Sequence, residues 1–103
     1  MTEVGVVPVR AVAPGSGEMI SVDVDGTVVA VANTGGTLHA FDDTCTHKEC
    51  PLSEGRLDGL TVVCPCHKSR FDLLTGEPIN GPAEDPIRIR RVRQDGETIY
   101  IEH

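Results

Sequence analysis

Two short runs constrain this chain more than any other feature: Cys45-Thr46-His47, and Cys64-Pro65-Cys66-His67, with sixteen residues, 48 to 63, between the pairs. Each run sets one thiol and one imidazole close together, and soft thiolates beside imidazoles are ligand positions. The fold must therefore bring two chain reversals face to face at one end of the molecule. At 103 residues the chain makes one domain, large enough for a modest core but in the size range where a metal centre is a useful additional staple.

Strand signals fill the rest. Alternating or β-branched runs lie at Val4 to Val12, Met19 to Val24, Thr27 to Asn33, Thr37 to Phe41, Leu60 to Cys64, Ile87 to Val92 and Thr98 to Ile101. Asp25-Gly26, Gly35-Gly36 and Asp95-Gly96 read as tight hairpin turns, which gives a meander of short antiparallel strands. No segment keeps a helical period, so the fold class is all-β, an antiparallel sandwich or barrel, with at most one helical turn around Pro51 to Glu54. Cys45 then follows the strand ending at Phe41, and Cys64 ends the strand starting near Leu60. Two strand ends present the ligands.

Two metal chemistries use two cysteines and two histidines. A tetrahedral zinc site usually groups like with like, as C-x₂₋₄-C and H-x₃₋₅-H, whereas each pair here mixes the two. A 2Fe-2S rhomb presents two ligand pairs, and a loop spans it by supplying one ligand to each iron. The mixed pairing favours one such cluster per chain, held by Cys45, His47, Cys64 and His67. Neutral histidines on one iron leave the reduced cluster less anionic, which places the potential at roughly −150 to +300 mV.

CTHKEC followed by CPCHKSRFD resembles the cluster-binding loops of Rieske proteins, and the similarity extends over most of the chain. Residues 52 to 60, LSEGRLDGL, resemble the stretch joining the two loops in Rieske ferredoxins, and Gly81-Pro82-Ala83 sits where the family has a proline-containing loop covering the cluster. The resemblance implies a single Rieske domain over 1–103, with a cluster-binding subdomain of about 42–83 inserted in a β base formed by 1–41 and 84–103. It also implies that His47 and His67 stand at an exposed tip. Cys50 and Cys66 match the positions where cytochrome bc-type Rieske proteins carry a disulfide between the loops. Two buried free thiols remain the alternative for a chain without export signals. Ser69 matches a family serine that donates to a cluster sulfide, and Phe71 stands where high-potential members have tyrosine.

By the same resemblance the chain is the ferredoxin component of a multicomponent aromatic-ring-hydroxylating dioxygenase, serving aromatic hydrocarbon catabolism. It would accept electrons from a flavoprotein or ferredoxin reductase and pass them to a terminal Rieske oxygenase, working as a monomer. The other reading is a Rieske-like small subunit of a nitrite reductase or other redox complex, which is weaker because several such subunits lack the ligands. One domain cannot also house the 2-His-1-carboxylate iron of an oxygenase, so the chain should deliver electrons and not oxidise substrate itself.

Charge and hydropathy exclude other classes. A net charge of −7 and three aromatic residues do not suit nucleic-acid binding, which needs a basic surface and stacking platforms. No apolar run approaches the ~18 residues of a membrane span, and the acidic, Pro8-broken start MTEVGVVPVR is unlike a secretory signal, so a cytoplasmic location is expected. The acid is spread along the chain and reads mainly as solvation, or as a face steering the protein to basic patches on partners. Lys48, Lys68 and Arg70 make the ligand end locally less acidic.

Four other features read as structural. His39 lacks a cysteine neighbour and lies in a strand pattern, and His103 is terminal. Arg88, Arg90, Arg91 and Arg93 read as a solvated strand face with partner contact as the lesser alternative. Asp42 and Asp43 read as the start of a turn and not as metal ligands.

Overall fold

The computed structural model of the protein describes residues 6–9, 13–45, 50–66, 68–80, 85–96 and 98–102. Along them run β1 (Val6–Val9), β2 (Met19–Val24), β3 (Thr27–Thr34), β4 (Thr37–Asp42), a 3-10 turn (Leu52–Glu54), β5 (Arg56–Asp58), β6 (Thr61–Val63), β7 (Arg70–Asp72), β8 (Pro78–Asn80), β9 (Ile89–Arg90), β10 (Val92–Asp95) and β11 (Thr98–Glu102). They form three antiparallel sheets, β2-β3-β4-β9, β1-β11-β10 and β5-β6-β7-β8. The third sheet is built wholly from residues 56–80, between two strands of the first.

Turn chemistry sets the first meander. Val24 pairs with Thr27 and Thr34 with Thr37, leaving Asp25-Gly26 and Gly35-Gly36 as two-residue loops. All four have positive φ, 52° and 87°, then 61° and 96°. That is the turn whose twist matches paired strands, and glycine or aspartate tolerates it where bulkier residues do not. The third expected turn is displaced by one residue: Asp95 pairs with Thr98, so the loop is positions 96 and 97, of which 97 lies outside the described residues.

β3 is the middle of the molecule and is buried on both faces. Ala30 and Ala32 point into one core with Phe41, Cys45, Leu52, Val62, Cys64, Phe71, Leu73 and Ile87. Val29 and Val31, one residue out of phase, point into the other with Val24, Ala40, Ile99 and Ile101. The period of two along a strand makes this division automatic. Small alanines face the core that holds Cys45 and Cys64, and β-branched valines face the other.

Three expectations need correction. The run from Ile87 to Val92 is not one strand: Arg90 pairs with Ala40 in the first sheet, while Val92 pairs with Ile101 in the second. The chain changes sheets at Arg91. Nor is Arg90 part of a solvated face. It is 5% exposed, its Nε donates to Asp42 Oδ1 at 2.5 Å, and its Nη1 donates to the Glu102 carbonyl at 2.9 Å. Finally, β5, β7 and β8 were not expected, because three residues are too few to display an alternation. Of the run Val4 to Val12, residues 4, 5 and 10–12 lie outside the described residues; β1 is a sheet edge, which accommodates Pro8 opposite Tyr100.

Candidate cluster site

The first loop is closed by its own backbone. After β4, Thr44 bridges Pro51, and the Cys45 N–H donates to the Cys50 carbonyl at 2.9 Å. The chain leaves through the 3-10 turn, where the Leu52 N–H donates to the Asp43 carbonyl at 2.9 Å. Leu52 is fully buried, and this turn packs on β2 and β3. Asp43 is buried as well: one carboxylate oxygen accepts the Ser53 N–H at 2.6 Å and the other the Ser53 hydroxyl at 2.7 Å. Gly55 then lies so close to β6 that a Cβ there would overlap the Val63 carbonyl oxygen, one residue before Cys64.

The second loop turns more tightly. The Cys64 N–H donates to the Ser69 carbonyl at 2.8 Å and the Lys68 N–H to the Cys64 carbonyl at 3.1 Å. Lys68 takes a left-handed φ of 58°, unusual for a side chain with a Cβ, and this closes the reversal into β7. A disulfide joins Cys50 to Cys66, with Cα atoms 6.4 Å apart. The two loops are thus linked covalently at the surface and by the Gly55 approach beneath.

Cys45 and Cys64, each 1% exposed, belong to the same core, and both are thiols outside any disulfide. Two buried thiols at the ends of two tethered loops suit an iron–sulfide rhomb, a soft and largely apolar guest. The residues present therefore fit such a cluster. Ser69 and Phe71 are fully buried in this region. His47, His67, Lys48 and the Gly81-Pro82-Ala83 loop lie outside the described residues.

The strands flanking that loop are well anchored. Gly76, at φ 82°, accepts the Ile87 N–H at 2.9 Å, and a Cβ on it would overlap the Ile87 carbonyl oxygen. β8 carries a register shift against β7 between Arg70 and Phe71, the bulge geometry that redirects an edge strand.

Charge on the outer face of the third sheet follows from its register. Arg56, Val63, Arg70 and Asn80 form the rung next to the loops, and Asp58, Thr61 and Asp72 the rung behind. Arg70 Nη1 donates to Asp58 Oδ2 at 2.6 Å, with Arg56 at 3.9 Å. The Arg70 hydrogen bond and charge hold the Asp58 carboxyl below its ordinary range. His39 is remote in role: its Nε2 pairs with Thr34 Oγ1 at 3.0 Å, and partial burial lowers its pKa.

Sequence reasoning missed Asp43, Ser53, Gly55, Gly76 and Arg90. Only Asp43 carries a signal, an acid two residues before Cys45, and it reads as a turn former. Asp42 ends β4 and pairs with Arg90, so neither acid serves only a turn.

The Rieske [2Fe-2S] domain family matches residues 2–93. The 3-phenylpropionate/cinnamic acid dioxygenase ferredoxin subunit of Escherichia coli (strain K12) is 39% identical over 87 residues, 84% of this chain and 81% of the relative. The solved ferredoxin of carbazole 1,9a-dioxygenase from Nocardioides aromaticivorans IC177 superimposes with a TM-score of 0.85 at 34% identity, covering 92% of this chain and 96% of that one. A ferredoxin solved in a complex of reduced oxygenase and oxidised ferredoxin of carbazole 1,9a-dioxygenase gives 0.84 at 31% identity, covering 92% of each chain. This chain belongs to the Rieske [2Fe-2S] family. Within it, the chain is an electron carrier of the ferredoxin type with one 2Fe-2S cluster, and not the catalytic oxygenase. Among the described residues no helix is long and apolar enough to cross a membrane.

Proposed function

We propose that this protein takes single electrons from a flavoprotein or ferredoxin reductase and passes them to a terminal Rieske oxygenase of an aromatic-ring-hydroxylating system. Cys45 and Cys64 ligate one iron of the cluster, and His47 and His67 the other. The observation that carries this reading is the pair of thiols, Cys45 and Cys64, buried in one core at the ends of two loops joined by the Cys50–Cys66 disulfide. The solved complex of a related ferredoxin with its oxygenase supports the choice of acceptor. The protein works as a monomer in the cytoplasm, and residues 42–83 act as its cluster-binding part on a base formed by 1–41 and 84–103.

When bound, the cluster supplies a one-electron store whose histidine ligation sets a moderate potential. With His47 and His67 as ligands of a ferric iron, their imidazoles would release protons at alkaline pH in the oxidised state. Electron uptake then brings proton uptake, and the potential falls by about 59 mV per pH unit there. Docking is brief and buries under about 1,200 Å², as redox encounters do.

The deciding experiment is EPR of the dithionite-reduced protein with a redox titration of the same sample. A rhombic Rieske signal with a potential that falls at alkaline pH is expected. A colourless, EPR-silent protein holding stoichiometric zinc overturns the reading. Electron delivery is checked by adding the protein to a reductase and an oxygenase lacking their own ferredoxin and measuring substrate hydroxylation.

A further inference from the structure

Two neighbouring acids lie at the neck of the first loop and meet opposite fates. Asp42 lies against a guanidinium, that of Arg90. Asp43 turns inward, where both its oxygens take hydrogens from one residue, Ser53, through the backbone N–H and the hydroxyl. Two acceptor oxygens each occupied by a donor is the bonding pattern of a carboxylate, and both donors are neutral. Asp43 is 4% exposed, so little water screens it. Two residues of chain span at most about 7 Å, so the Cα of Asp43 lies within that distance of the Cα of Cys45.

We propose that Asp43 is a positioning residue for the Cys45 loop and that its buried negative charge holds the reduction potential of the cluster down. This rests on the ligand assignment above. Positioning follows from the bonds: the Asp43 carboxylate holds Ser53, and its carbonyl holds Leu52, so the two ends of the loop are fixed to each other independently of the disulfide. Tuning follows from Coulomb's law. Reduction adds one electron to the cluster, and a nearby fixed negative charge in a poorly screened interior opposes it. At an effective dielectric constant of about 20, a unit charge about 12 Å away changes the reduced-to-oxidised ratio about tenfold.

Asp43→Asn separates charge from shape. Asparagine is isosteric, its carbonyl accepts the Ser53 N–H, and its amide donates to the Ser53 oxygen, so the loop keeps its ties while the charge is gone. The expected result is a midpoint raised by about 59 mV, the equivalent of that tenfold ratio for a one-electron couple, with the EPR line shape retained. Ser53→Ala does the reverse: it removes one neutral donor, leaves the charge less compensated, and should lower the midpoint by a smaller amount. An intact Rieske signal with an unshifted midpoint in Asp43→Asn overturns the proposal, as does an upward shift in Ser53→Ala. Should Asp43→Asn fail to take up a cluster, the sign of the Ser53→Ala shift alone decides, and an unchanged midpoint there counts against it. A wild-type protein without a Rieske signal would instead remove the ligand assignment on which the proposal rests.

Discussion

The two cores on either side of β3 are built on different principles. The base core is aliphatic and mostly β-branched, Val24, Val29, Val31, Ile99 and Ile101 around Ala40, carried on strands of four to eight residues. The core around Cys45 and Cys64 also holds Phe41, Leu52, Phe71 and Leu73, but its own sheet has strands of only three residues. Such short strands give few ladder bonds. They are held by particular ties: a disulfide, a buried carboxylate, two glycine approaches and, in the loaded protein, the cluster. Both halves bury apolar side chains, but only the half around Cys45 and Cys64 adds crosslinks to them. A distributed core loses stability in proportion to the side chain removed, whereas a crosslinked region fails where the tie is cut.

The sharpest way to break this comparison is Cys45→Ser or Cys64→Ser. Either change should abolish the cluster, read as loss of visible colour and of two irons per chain, while far-UV circular dichroism still reports the base sheets. Ile101→Ala acts from the other side. Removing a fully buried isoleucine should cost about 2–5 kcal/mol. It should lower the melting temperature yet leave the midpoint potential of the folded protein unmoved. If the potential shifted with Ile101→Ala, the two regions would be one energetic unit and the division would fail. Removing the disulfide with Cys50→Ser and Cys66→Ser together should cost about 3 kcal/mol, the chain-entropy value for a loop of this length. The loss should show as faster iron release to a chelator, with the base melting less affected.

The same division explains what could be read from the residues. The hairpins at Asp25-Gly26 and Gly35-Gly36 were legible because turn type is a local demand on two residues, and the long strands beside them display their period. The fold class was legible for the same reason. The cysteine pairs stood out because ligand chemistry restricts residue type. Arg90 did not: in the run Ile-Arg-Arg-Val-Arg it looks like any solvated arginine, and it is buried only because the chain switches sheets and meets Asp42, 48 residues away. Gly55 and Gly76 were equally silent, since each is required by a carbonyl that is distant in sequence or on another strand. What holds the ligand end together is mostly tertiary, and tertiary ties leave no period.

The smallest effect expected is at the outer face of the third sheet, and it tests whether a surface ion pair belongs among the ties. Asp58 lies between Arg70 and Arg56 and is more than half exposed, with a side-chain exposure of 53%. Its carboxyl titrates lower folded than unfolded, chiefly because Arg70 donates to the ionised form. A group whose folded pKa is depressed contributes stability above the unfolded pKa and loses it as pH falls through the folded one. The melting temperature of wild type should therefore slightly exceed that of Asp58→Asn at neutral pH, and the two curves should converge in acid below the ordinary aspartate range. Added salt should also narrow the gap, because water and ions reach the pair. A gap that persisted in acid would mean that asparagine disturbs packing, not charge, and the pair would then count as a tie of the crosslinked half.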